Sequence, residues 1–507
     1  MTILFRADAS AVIGTGHLMR CLALADYLKM QGEECIFICR SVLVNVVQRI
    51  ADGGHQLVLL PPTTGLRNPQ PDDVPHADWL EAYWRDDAEA TRKVASSIGA
   101  RWLVVDHYAI DARWESIVND ENLRIAVIDD LADRRHDCEI LIDSNIHLEP
   151  FAVYAGLVPI HCQRLFGPRY ALLRVEFTDL GKFKRIYKSE QVNYLVAFGG
   201  VDLANHTMTA LQALESVCRP ADHVDVIMSD QHNSLDAVAM LCAARGWHLH
   251  LDSTIIAQLM QKADIAIGAG GGMLWERMAT GLPSIAVAVA ANQNLQVSVA
   301  ADMGFLLQAE LGYAALLPLP GMILKLRDDL QLRENLSKAC LAVVDGCGTK
   351  RVAQRLLQGD IHMRLAAGVD SDDLLVWRND EKIRKFSSSS SVISGPDHVK
   401  WFDSSLANSQ RDLLIAEDDI GPLGVVRFDR NSAIAEISIY LVPTRIGSGA
   451  GNGLLLAAEK WLSTHGPGVE EIRALVLEGN TASNELFRSC GYTKQGNNFV
   501  KRLEVNS

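Results

Sequence analysis

Through its first half the chain alternates short, continuous apolar runs with segments whose apolar residues recur every three or four positions. Ile3–Phe5, Glu34–Cys39, Leu57–Leu60, Trp102–Val105, Ile125–Ile128 and Ile140–Ile142 are runs of the first kind and predict buried strands. Met19–Met30 and Ala88–Ile98 are of the second kind and predict amphipathic helices between them. That rhythm is the one parallel α/β units produce. A polar, basic stretch, Thr178–Gln191, interrupts it and reads as a crossover between two lobes. A second series then predicts strands at Tyr194–Ala197, Val224–Met228, Ile265–Ile267 and Ser284–Val289, with helices at Asn205–Val217 and Gly272–Thr280. The helix Lys350–Leu357 closes it.

Beyond a boundary around residues 358–370 the text changes character. A serine run, Ser387–Ser391, reads as a solvated linker. Antiparallel-looking strands follow at Leu413–Ala416, Gly424–Asp429, Ala435–Val442 and Ile472–Leu477. The expected organisation is therefore α/β: two Rossmann-like lobes over residues 1–180 and 181–360, then a smaller α+β domain over 370–507.

Composition narrows the function. The 507 residues carry 48 basic and 62 acidic side chains, a net charge of −14, which makes nucleic acid an unlikely class of partner. No apolar run is long enough to span a membrane, and the start, MTILFRADAS, lacks the pattern of a signal peptide. The ten cysteines form no CxxC pairs, so reduced thiols in a cytoplasm, without a zinc site, are expected.

The candidate chemistry sits after the strands. Following Ile3–Phe5, Gly14 and Gly16 flank Thr15, and His17 opens the next helix. Glycines allow a ligand close to the backbone, and a helix start favours an anion. A histidine there is positioned to take a proton near neutral pH, although a capping histidine on a plain turn has the same spacing. Asp106-His107-Tyr108 follows the run LVV, at the edge where α/β proteins bind ligands or form a buried polar cluster. In the second lobe, Gly199-Gly200 and the block Gly268–Val287 place glycines after strands. The amides of Gly271 and Gly272 could receive a pyrophosphate, with Glu276 one turn inside for a ribose diol and Asn292-Gln293 near the leaving group.

FRAD…IGTGH, VVDHY, the segment Phe166–Arg174, FGGVD and AGGGMLWE…GLP…NQ together resemble, over residues 1 to about 357, the UDP-sugar hydrolase family of pseudaminic acid biosynthesis. The resemblance implies a two-lobed GT-B fold like that of MurG-type glycosyltransferases. It also implies metal-free hydrolysis of UDP-2,4-diacetamido-2,4,6-trideoxy-β-L-altropyranose with inversion. The family's catalytic histidine falls on His17 and its active-site tyrosine on Tyr108.

In the last domain, the strand Ala435–Val442 leads to the alternating glycines Gly447, Gly449, Gly451 and Gly453, whose amides could wrap a pyrophosphate. With LVLEGNTASNELFRSCGY, this resembles the GNAT N-acetyltransferases over residues 370–507. The resemblance implies acetyl-CoA as donor, with Val442, Gly447, Gly449, Gly451, Asn480 and Phe487 at the cofactor, and Glu436 as a base for the sugar ammonium. Two departures stand out: Ile446 occupies a position usually Gln or Arg, and Phe487 that of a general-acid tyrosine. N4-acetylation followed by UDP removal in one chain would raise the local concentration of a shared intermediate. The competing expectation is a GT-B glycosyltransferase carrying a non-catalytic acetyl-CoA-binding module.

Overall fold

A computed structural model describes every residue except 11, 63–68, 120–122, 148, 160, 179–184, 186–190, 200–201, 203, 310–317, 360, 388, 419–420, 448 and 504–507. Most of the expected crossover at Thr178–Gln191 thus lies outside the described residues. The chain divides into two compact units, Met1–Ala353 and Gln354–Ser507.

The first unit holds two parallel sheets. One contains β1 (Thr2–Ala7), β2 (Glu34–Cys39), β3 (Gln56–Leu59), β4 (Trp102–Asp106), β5 (Arg124–Ile128), β6 (Ile140–Asp143) and β7 (Gln163–Phe166). Their order is β3-β2-β1-β4-β5-β6-β7. The other contains β8 (Asn193–Ala197), β9 (His223–Met228), β10 (His248–Leu251), β11 (Ile265–Ala269), β12 (Ser284–Val287) and β13 (Leu307–Ala309), in the order β10-β9-β8-β11-β12-β13. Each sheet is therefore wound outwards from a central pair, β1/β4 in one and β8/β11 in the other. The central strands β4 and β11 are buried throughout, which is why they read as continuous apolar runs rather than alternating ones. The two Rossmann-like lobes are present, and the crevice where strand order reverses is where such sheets bind ligands.

The second unit carries β14 (His362–Leu365), β15 (Arg411–Asp418), β16 (Gly421–Asn431), β17 (Ile434–Leu441), β18 (Glu471–Leu475), β19 (Thr493–Gln495) and β20 (Asn498–Arg502). Their order is β14-β15-β16-β17-β18-β20-β19. Every pairing is antiparallel except β17 with β18, which is parallel from Ile434↔Glu471 to Ile437↔Ala474. β17 runs on to Leu441, so its last four residues extend past that pairing. Helix Gly451–His465 packs Leu454, Leu455, Ala458 and Leu462 into the core beneath β16–β18. No described helix in either unit is long and apolar enough to cross a membrane.

Candidate active sites

The first site grows out of the β1/β4 switch point. After β1 the chain turns tightly: Gly14 donates its N–H to the Ser10 carbonyl at 2.8 Å with φ +80°, a conformation that favours glycine. Gly16 then opens helix α1 (Gly16–Met30), which puts His17 in its first turn, nearly buried. Asp106, the last residue of β4, is fully buried and faces it: His17 Nδ1 lies 2.6 Å from Asp106 Oδ1. That hydrogen bond places the imidazole proton on Nδ1 and leaves Nε2 as the basic nitrogen.

Arg20, one turn along α1, fixes the carboxylate from the other side. Its Nε donates to Asp106 Oδ2 at 2.6 Å, its Nη2 to Oδ1 at 2.7 Å and its Nη1 to Asp130 Oδ2 at 2.9 Å. Burial alone would raise Asp106, but the charges of Arg20 and then His17 outweigh it and hold the carboxyl below the ordinary range. Asp106 is therefore ionised, with both oxygens engaged by His17 and Arg20, an arrangement that fixes the imidazole. Tyr108 donates its hydroxyl to Asp130 and accepts from Asn292 Nδ2 at 3.2 Å. Burial first, and the Asp130 charge second, push that phenol well above its usual range, so Tyr108 acts as a neutral donor.

The second switch point carries the glycine block. Helix α2 (Met273–Ala279) follows β11, with Gly271 and Gly272 directly ahead of it. Gly270 and Gly271 are packed: a Cβ on Gly270 would meet Val297 Cγ2 at 2.2 Å, and one on Gly271 would meet Gln293 Nε2 at 3.2 Å. Gly272 faces open space. Gln293 braces this turn by accepting the Val289 N–H at 3.1 Å, while its neighbour Asn292 reaches Tyr108 in the other lobe. Glu276 is half-buried and pairs through Oε1 with Arg174 Nη2 at 3.0 Å. Burial raises its pKa, with Arg174 opposing. Gly199, φ +91°, follows β8; Gly200 lies outside the described residues.

In the second unit, Gly447 and Gly449 adopt φ +84° and +76° ahead of α3 (Gly451–His465); Ser448 between them is outside the described residues. Arg445 does not stand in for the missing loop cation, because both its terminal nitrogens are tied to Asp418. Glu436 is exposed on β17, opposite Asp429 and Arg473, one residue before the parallel pairing stops. Val442 has a buried side chain, gives its N–H to the Leu423 carbonyl and accepts the Arg445 N–H at its own carbonyl. Two expected cofactor residues have other work. Asn480 caps α4 (Thr481–Ser489), its side-chain oxygen accepting the Ser483 N–H at 3.1 Å. Phe487 lies in the core, edge-on to Tyr492 at 5.0 Å and stacked on Phe499 at 5.7 Å.

Sequence reasoning missed Arg20, Asp130, His76 and Trp79. Arg20 was findable from its three-residue spacing to His17 on one helix face, and Asp130 from its place just after β5. His76 and Trp79 sit at a short 3-10 turn, Ala77–Leu80, in a segment without periodicity that could announce them.

The fold and the glycine loop define the class of the second unit, and a family model agrees: the acetyltransferase (GNAT) domain matches residues 361–493, and this part of the chain is a GNAT domain. The first unit resembles a UDP-sugar hydrolase. The UDP-2,4-diacetamido-2,4,6-trideoxy-β-L-altropyranose hydrolase of Campylobacter jejuni is 24% identical over 310 residues, covering 60% of this chain and 98% of that one. An uncharacterized protein of Methanocaldococcus jannaschii is 24% identical along the full length of both chains. A spore coat polysaccharide biosynthesis protein of Bacillus subtilis is 29% identical over 191 residues, covering 37% of this chain and 56% of that protein.

Proposed function

We propose that the chain is a bifunctional sugar-nucleotide enzyme of pseudaminic acid biosynthesis. In this reading the GNAT domain acetylates the 4-amine of a UDP-amino-sugar, and the first unit then releases UDP from the diacetamido product. The observation that carries the hydrolase half is the His17–Asp106 pair at the β1/β4 switch point. His17 Nε2 takes a proton from water, the water oxygen bonds to the anomeric carbon from the face opposite UDP, and the carbon–phosphate-oxygen bond breaks. Inversion follows from that approach. Asp106 stabilises the imidazolium that forms, and Asn292, whose Nδ2 keeps a second N–H beyond the one given to Tyr108, supplies a neutral donor beside it. The glycine turn at Gly270–Gly272 receives the diphosphate as negative charge grows on it. UDP is already a good leaving group, so positioning water is most of the task.

In the acetyltransferase half, the sugar amine attacks the acetyl carbonyl of acetyl-CoA, the carbon–nitrogen bond forms, and the carbon–sulfur bond breaks to leave thiolate. Beyond Ile437 β17 stays paired with β16 but no longer with β18, and that open edge suits an extended amide chain such as pantetheine, while Glu436 at that point accepts the ammonium proton through water. The phenyl ring of Phe487 cannot protonate the thiolate, so water does.

The test is His17→Ala in the full chain, incubated with UDP-2,4-diacetamido-2,4,6-trideoxy-β-L-altropyranose without any sugar acceptor. Loss of UDP release by about 10²–10⁴-fold, with acetyl-CoA consumption on the amino-sugar unchanged, is expected. UDP release near wild type in the variant would falsify the assignment.

A further inference from the structure

Beside the base stands a cluster of rings that the hydrolytic reading does not use. His17 is perpendicular to both Tyr108, with centroids 4.6 Å apart, and Trp79, at 6.3 Å. Trp79 stacks on Tyr108 at 5.5 Å, and His76 touches both, at 4.5 Å from Trp79 and 5.4 Å from Tyr108. Tyr108 is buried, with the Arg134 guanidinium also over its ring at 5.8 Å. The parts of the cluster that solvent reaches are Trp79 and His76, both half-buried. Large rings left half-covered next to a catalytic base form an apolar wall where a reacting sugar would lie.

The polar groups beneath the rings are spoken for. Asp106, Arg20, Asp130 and the Tyr108 hydroxyl bond to one another, and Leu80 behind Trp79 is in the core. The faces of the Trp79 and His76 rings offer a sugar hydroxyl no partner; only their edge nitrogens do. A sugar with a methyl in place of its 6-hydroxyl, and with acetamido methyls, would cover the rings without stranding a polar group.

We propose that Trp79 and His76 form the specificity wall of the hydrolase site, selecting 6-deoxy, N-acylated hexoses over 6-hydroxylated ones. This rests on the first unit being a UDP-sugar hydrolase. A missing or added methyl-sized group against an apolar wall is worth about 10–200-fold in kcat/KM.

The experiment measures UDP release by the full chain from the UDP-linked 2,4-diacetamido-2,4,6-trideoxyhexose and from its 6-hydroxylated counterpart. Wild type should favour the 6-deoxy substrate at least tenfold. In Trp79→Ala that ratio should fall to about threefold or less, mainly through a raised KM for the 6-deoxy substrate, whereas Trp79→Phe should keep most of it. His76→Ala, at the second ring, should lower the ratio in the same direction and serves if Trp79→Ala does not fold. An unchanged ratio in both alanine variants, with wild type active, overturns the wall. No UDP release by wild type from either substrate removes the hydrolase reading itself and the wall with it.

Discussion

At the scale of single residues, the two groups proposed to lie nearest the reaction were legible and their supports were not. His17 and Tyr108 stand out because each follows a strand of a parallel sheet, where the chain must turn and backbone amides are exposed. Asp106 was also singled out, but spacing along the chain does not reveal that it lies 2.6 Å from His17 Nδ1. Its role makes a distinct prediction. Asp106→Asn removes the charge that stabilises His17 as imidazolium and can turn the ring to the wrong tautomer. A fall in kcat of about 10²–10⁴-fold with little change in KM is expected from steady-state UDP release. A melting temperature below wild type should accompany it, since Arg20 loses its charged partner. A KM effect alone would mean that Asp106 binds substrate after all. Phe487 is a different case: motif position marks it for the cofactor, and its ring packs in the core against Tyr492 and Phe499.

At the scale of elements, the central strands were readable because burial on both faces leaves an unbroken apolar run. The short strands β7, β10, β13, β14, β19 and β20, all but β20 at sheet edges, were missed. β13 spans only Leu307–Ala309, and β14 (His362–Leu365) is mostly exposed, so neither carries a pattern that distinguishes a strand from a loop. The glycine block could be read as a turn, but not which glycines pack and which face a ligand. The structure separates them. Gly270→Ala drives a Cβ against the buried, β-branched Val297 and should cost about 1–3 kcal/mol as well as weakening UDP binding. Gly272 meets nothing within 4 Å and has φ −50°, which alanine adopts freely. Gly272→Ala should therefore leave the melting temperature at or slightly above wild type while raising KM for the UDP-sugar several-fold. Calorimetry and kinetics on the same two variants check this. A Gly272→Ala enzyme with unchanged KM would place the diphosphate elsewhere.

At the scale of the whole molecule, the net charge of −14 meets two proposed substrates that are themselves anions, a UDP-sugar and acetyl-CoA. Three arginines beside the proposed sites are already matched by carboxylates. Arg20 is matched by Asp106 and Asp130, Arg174 by Glu176 and Glu276, and Arg445 by Asp418. Each of these cations orients a carboxylate more than it projects positive potential, and under the proposed function the anions are gathered at short range by backbone amides at glycine turns. Such amides act within hydrogen-bond distance and are little affected by screening, whereas steering by net charge weakens as the Debye length shrinks from about 30 Å at 0.01 M salt to about 8 Å at 0.15 M. Raising ionic strength over that range should therefore leave kcat/KM for both substrates within about twofold, or raise it modestly as repulsion from the acidic surface is screened. Initial rates at subsaturating substrate, measured across a sodium chloride series, read this directly. A fall of tenfold or more for either substrate would locate an unmatched cationic surface near that site and overturn the short-range account for it.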